Sequence, residues 1–129
     1  MLSEKTYDKN YIASCRMQVK ALVDAYKKAK APAAFEQAFL THAILALDHY
    51  FLHRMRGAEG KDGNALNEVR MLCDSIKHHD SVMSADQTIR YKADKAILGT
   101  EIGAPICVSA DGFAELADAF FNEIEVRYQ

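Results

Sequence analysis

Residues 32–56 constrain the fold of this chain more than any other segment. Phe35, Phe39, Ile44, Leu45, Leu47, Phe51 and Leu52 are spread around most of a helical circumference, which leaves little polar face. A helix of that kind is expected at the centre of its domain. Its limits are marked on both sides. In APAA, residues 31–34, proline ends one helical run and suits the first turn of the next. GAEGKDGN, residues 57–64, sets three glycines among polar residues and reads as a connecting loop.

Three further helices follow from periodicity and capping. Over residues 7–30, Tyr11, Cys15, Leu22 and Tyr26 recur at helical spacing with Ile12, Val19 and Val23 beside them, while Lys20, Lys27 and Lys28 fall outside. Asn64 is a plausible N-cap for a third helix with a core stripe of Leu66, Val69, Cys73 and Ile76. Ser109 caps a last helix, with Asp111 favoured in its first turn. Phe113, Leu116, Ala117, Phe120, Ile124 and Tyr128 form its buried stripe. Between these two helices TIRYK, residues 88–92, alternates, and ICV, residues 106–108, is β-prone; together they suggest a small hairpin. The expected fold is all-α: a single domain over residues 1–129, built as a bundle of four main helices with a short β-hairpin-like insertion before the last helix.

Composition narrows the function classes. A net charge of −2 is too small to argue for strong attraction to nucleic acid or membrane. Charge is unevenly spread, however. Residues 1–30 hold seven Lys/Arg against three Asp/Glu, and residues 96–129 hold Arg127 against six acids. Either the first and last helices pack together, within one chain or across a dimer, or a basic face meets phosphate. Cys15, Cys73 and Cys107 are far apart and lack metal-knuckle spacing, so they read as small buried thiols of a reducing compartment. The start MLSEKTYDKN is polar, and no apolar run reaches the roughly 18–20 residues of a membrane span, so a cytoplasmic location is expected. No glycine-rich phosphate loop, dinucleotide fingerprint or nucleophile triad is present, and no cofactor is expected.

Two groups of residues carry chemistry. His42, His49 and His53 lie along one side of the second helix, and His49 and His53 have the i, i+4 spacing of paired metal ligands. The alternative is a set of hydrogen-bonded histidines facing polar groups or a dimer partner. The second group is NEVRMLCDSIKHHDSVM, residues 67–83, in which Arg70 precedes His78 and His79. These three are the candidate catalytic residues, since histidine titrates near neutrality and a guanidinium is a strong two-pronged donor. Asn67 and Asp74, sharing a face with His78, and Lys77 are the candidate substrate contacts. Each residue also has a plain structural reading. Arg70 pairs with Asp74, Glu68 or a carboxylate from a neighbouring helix; Lys77, His78 and His79 occupy a helix C-terminus; Asp80 and Ser81 end the helix in a turn.

EVRM at 68–71, HHDSVM at 78–83 and GAPICVS at 103–109, placed after a central apolar helix, resemble the HEPN superfamily of small all-α domains. The resemblance spans roughly residues 35–128 and rests on short motifs. It implies a homodimer, binding of RNA or a nucleotide, and metal-independent ribonuclease chemistry with Arg70 on the phosphate and His78 or His79 moving a proton. This chain departs from the pattern. Residues 71–77 separate arginine from histidine where four to six residues are usual, and Met71 stands where asparagine commonly follows the arginine. On a continuous helix Arg70 and His78 would lie on the order of 12 Å apart along the axis and about 80° apart around it. Only a helix ending before Lys77, or pairing across a dimer, would bring them together. The alternatives are a non-catalytic dimeric interaction domain, for instance of defence or toxin–antitoxin type with an unidentified protein partner, and a histidine-based metal-binding bundle.

Overall fold

The computed structural model describes residues 3–129. Helices α1 (Lys9–Ala29), α2 (Ala33–His49), α3 (Arg56–Glu59), α4 (Ala65–His78) and α5 (Ala110–Arg127) follow in order, with a short 3-10 turn at Ala93–Lys95. The all-α class read from the periodicity is observed. No described helix is long and apolar enough to cross a membrane.

α5 packs against α1, α2 and α4, so it joins the bundle. Its buried stripe is the expected one, Phe113, Leu116, Ala117, Phe120 and Ile124, with Phe121 added and Tyr128 just beyond the helix end. Phe121 turns toward α1, where the Arg16 guanidinium lies 5.1 Å from its ring centre. Arg16 then reaches Asp118 at 2.8 Å, Glu125 at 2.9 Å and Asn122 at 3.1 Å, while Lys27 meets Asp111 at 2.7 Å. The opposed charges of the two ends of the chain therefore meet within one molecule.

The enclosed helix is α4, not α2. In α4 the whole run Ala65–Val69 is buried, as are Met71, Leu72, Cys73 and Ser75. α2 buries Leu40, Thr41, Ala43, Ile44 and Leu47, but leaves Ala34, Phe35, Ala38, His42, Ala46 and His49 exposed. Hydrophobicity alone ordered the two helices wrongly because the polar residues of α4 find internal partners. The cap is as expected: the Asn64 side chain accepts from the backbone N–H groups of Leu66 and Asn67. α2 is also shorter than its apolar run. It ends at His49, and residues 50–53 continue as tight turns in which Phe51 N–H donates to Asp48 C=O and Arg54 N–H to Phe51 C=O. The glycine-rich stretch expected to be only loop begins with α3.

No hairpin joins residues 88–92 to residues 106–108. The partner of the second stretch is residues 81–83: Ile106 N–H donates to Ser81 C=O at 2.8 Å, and Met83 N–H to Ala104 C=O at 2.9 Å, around an isolated antiparallel bridge at Val82 and Pro105. The alternation in TIRYK reflects two anchors instead of a ladder. Ile89 is buried, and the Tyr91 hydroxyl donates to Thr100 C=O at 2.6 Å. Helix side chains satisfy much of the remaining backbone. Gln37 on α2 bonds both the N–H and the C=O of Val108 at 2.8 Å. Glu68 on α4 accepts from Ile97 N–H at 2.8 Å and Leu98 N–H at 2.9 Å, and the Ser75 hydroxyl accepts from Ser84 N–H at 2.9 Å. Each of these replaces a strand neighbour, since buried backbone groups must be paired.

Replacing Gln37 with Leu removes both bonds to Val108 and leaves a part-buried peptide unpaired. We expect a stability loss of about 1–3 kcal/mol in urea unfolding, with faster hydrogen exchange of the Val108 amide. An unchanged exchange rate would mean that Gln37 does not hold this segment.

Candidate functional site

The residues singled out in α4 do not form one cluster. Arg70 is committed to a buried carboxylate that the sequence did not reveal, Glu59 at the end of α3. Arg70 Nε lies 3.0 Å from Oε2 and 3.2 Å from Oε1 of Glu59, and Nη2 lies 2.7 Å from Oε1. Glu59 is fully buried and takes further donors: Arg54 Nε at 2.9 Å and Asn67 Nδ2 at 2.8 Å. Arg54 extends the network to Asp48 through Nη1 at 2.8 Å and sits over the Phe120 ring. Asn67 also donates to Gly60 C=O at 3.0 Å and accepts from Gly63 N–H at 2.9 Å, so its amide is spent on the α3–α4 turn.

Each partner has a reason to be where it is. Asn64 starts α4 and anchors the preceding turn by donating to Glu59 C=O at 2.8 Å. Gly63, at φ +87°, passes so close to Arg90 that a side chain there would collide with the Arg90 carbonyl. Asn67 and Arg70, one turn apart on α4, then face Glu59 together. Arg54 follows the C-terminus of α2, where a solvent-facing cation would be favoured. It is instead buried, because the chain leaves the helix at His49 and folds inward.

The remaining α4 candidates face solvent. His78, His79, Asp74 and Lys77 are exposed, and His79 Nε2 stands 3.6 Å from Asp74, beyond a normal hydrogen bond. α4 is continuous through His78, so no helix end before Lys77 shortens the path from Arg70. Asp80 and Ser81, both at positive φ, close the helix in a turn as expected. The histidines of α2 are exposed as well. His42 Nδ1 lies 2.8 Å from Ala38 C=O, which orients the ring along its own helix. His53 lies past the end of α2, so it does not share a regular helical i, i+4 face with His49. No group of three or more His, Cys, Asp or Glu able to hold a metal occurs among the described residues.

The electrostatics agree with a structural role for the buried cluster. Burial pushes the Glu59 carboxyl upward, but the Arg70 hydrogen bonds, the Arg54 and Arg70 charges and Asn67 outweigh it, and the net shift is down. Glu68 moves the other way: burial raises it, and the two backbone N–H groups offset that only partly. Burial, helped by Asp48, pushes the Cys73 thiol up to about 12, which removes it as a nucleophile near neutral pH. Comparison with family models, curated proteins and solved structures finds no match to this chain.

Glu59→Gln would leave two arginines facing a neutral amide, a change that typically costs about 3–5 kcal/mol for a buried pair. Because the folded state lowers the Glu59 pKa, its contribution is complete above the ordinary carboxylate range and is lost as pH falls through the folded value. The difference in unfolding free energy between wild type and Glu59→Gln is therefore expected to be largest near pH 7 and to narrow in acid. A gap that stays constant down to about pH 2 would contradict this assignment.

Proposed function

We propose that this chain is a non-catalytic interaction module, HEPN-like in outline, that associates with a second copy of itself through the outer face of α2. The observation that carries the reading is the capture of Arg70 by Glu59. A guanidinium whose Nε and Nη2 both bond one buried carboxylate is poorly placed to stabilise charge developing on a phosphate. The continuous α4 also keeps Arg70 about 12 Å along the axis from His78 within one chain. These facts weigh against the ribonuclease reading and favour binding.

The surface for binding is suggested by α2. Phe35, Ala38, His42, Leu45 and Ala46 fall within about 60° of one another's mean direction on the helix. Phe35, Ala38, His42 and Ala46 are exposed and Leu45 is half-buried. Glu36 and Asp48, the charged residues of α2, point well to the sides, so the face itself carries no fixed charge. Identical copies can meet there in a two-fold pair without opposing like charges. In an antiparallel register centred on His42, Ala38 of one copy faces Ala46 of the other and Phe35 faces His49, and the small alanines allow close approach. A contact about one helix long falls short of a standard-size interface, so we expect an equilibrium with Kd on the order of micromolar or weaker.

Sedimentation velocity over a concentration series tests this. Wild type is expected to shift from monomer to dimer, and Ala46→Glu, which places a charge at an exposed site, to stay monomeric with unchanged circular dichroism. A wild type that remains monomeric throughout, or a variant that dimerises equally, would refute the interface. RNA incubated with the protein in EDTA is expected to remain intact; cleavage abolished by His78→Ala would refute the non-catalytic reading.

A further inference from the structure

Where α2 ends, its turns meet the segment leading into α1 and enclose an open groove of about 470 Å³. This is within the size range of small-ligand sites. Its walls hold Tyr7, Tyr11 and Tyr50, the carboxylates Glu4 and Asp8, and His49 and His53, with no lysine or arginine. We propose that this groove binds an organic ammonium cation.

The tyrosine hydroxyls are already spent or turned away. Tyr11 donates to Tyr50 C=O at 2.6 Å, and Tyr50 donates to Gln18 Oε1 at 3.2 Å. The Tyr7 hydroxyl is buried inside the protein. What the three residues offer the groove is therefore ring surface rather than hydrogen-bond donors. Tyr7 is fixed by an edge contact to Phe51 at 4.8 Å and by Tyr128 at 5.6 Å, and Tyr11 stacks beside it at 6.2 Å. Electron-rich rings held rigidly beside water attract cations, most of all weakly hydrated ammonium groups.

The charge on the walls has the same sense. Asp8 stands at the N-cap of α1, a position where aspartate usually accepts from the helix, yet its side chain makes no capping bond. Neither Asp8 nor Glu4 joins an ion pair among the described residues. The Glu4 main chain is held firmly, with its N–H donating to His53 C=O at 2.7 Å and its C=O accepting from Met55 N–H at 2.9 Å. That pairing sets the carboxylate at the rim. The C-terminal end of α2 adds partial negative charge, which offsets the partial positive charge of the α1 N-terminus beside Asp8 and leaves the two carboxylates to set the sign. An anion would meet two carboxylates; an apolar ligand would strand them. A cation satisfies carboxylates and rings together. The groove shares His49 with the α2 contact assigned to self-association, but the inference rests on residues 4–11 and Tyr50 and not on that assignment.

The test is an amide-shift titration of the full chain with choline and, separately, spermidine, followed by ZnCl2. We expect at least one ammonium probe to saturate at concentrations up to about 10 mM, with shifts centred on residues 4–8, 11 and 49–53. The double variant Glu4→Gln/Asp8→Asn, changed only at exposed side chains and checked for an unaltered spectrum elsewhere, should bind about tenfold more weakly or not at all. The proposal is overturned by an absence of saturable shifts with both probes, by shifts outside the groove, or by equal affinity in the double variant. It is also overturned if zinc alone occupies the groove and His49→Ala abolishes that binding, because the site would then be a metal site.

Discussion

A carboxylate with no access to water must be ionised among cations or not ionised at all, and Glu59 sets that condition at the heart of this protein. Arg54 and Arg70 supply the charge, and Asn67 fills a remaining lone pair. The three donors come from the turn after α2 and from two successive turns of α4. Their convergence fixes how α2, α3 and α4 sit together. Much else follows. α4 can lie enclosed although it carries polar side chains, α2 must stop at His49 for Arg54 to turn inward, and Arg70 is unavailable for other work.

Polar side chains recur as fasteners elsewhere. Segment 80–108 has no sheet to join, and Gln37, Glu68 and Ser75 take the place of strand neighbours. Helices thereby anchor a long irregular crossover without a second core. The charges on α1 and α5 serve a milder purpose. Arg16 and Lys27 pair with acids that are more than half exposed, where solvent screening keeps each contribution small. They orient two helices that already pack together, with Val19, Val23, Ala117 and Phe121 buried in the shared core.

The sequence disclosed what periodicity governs. The stripe of α5, the Asn64 and Ser109 caps and the break at Pro32 all lie where the pattern placed them, because each depends on neighbours within one or two turns. In α1 the buried line is Ile12, Cys15, Val19 and Val23, while Tyr11 is exposed and Leu22 and Tyr26 are half-buried; Cys107, read as a buried thiol, is exposed as well. Partnerships over longer distances stayed hidden. Glu59 sits in a glycine-rich polar stretch and looks like a solvated loop acid; only the fold shows that Arg54, Asn67 and Arg70 converge on it. The same gap explains the reversal of α2 and α4. Apolar content suggested that α2 was enclosed, whereas α4 is, since Asn67, Glu68 and Ser75 lose water but regain hydrogen bonds. TIRYK imitated a strand because Ile89 and Tyr91 are separate anchors two residues apart. For Arg70, the general suggestion of a carboxylate from a neighbouring helix pointed in the right direction, but nothing local identified which one.

The central claim is that Arg70 belongs to Glu59. A double-mutant cycle measures that bond most directly: unfolding free energies of wild type, Glu59→Gln, Arg70→Met and the double variant, taken at pH 7 in urea. The account predicts a coupling energy of roughly 1.5–3 kcal/mol, with the double variant much less destabilised than the sum of the single changes. A coupling near zero, with the two effects simply adding, would show that Arg70 is not held by Glu59 and is free to meet a ligand.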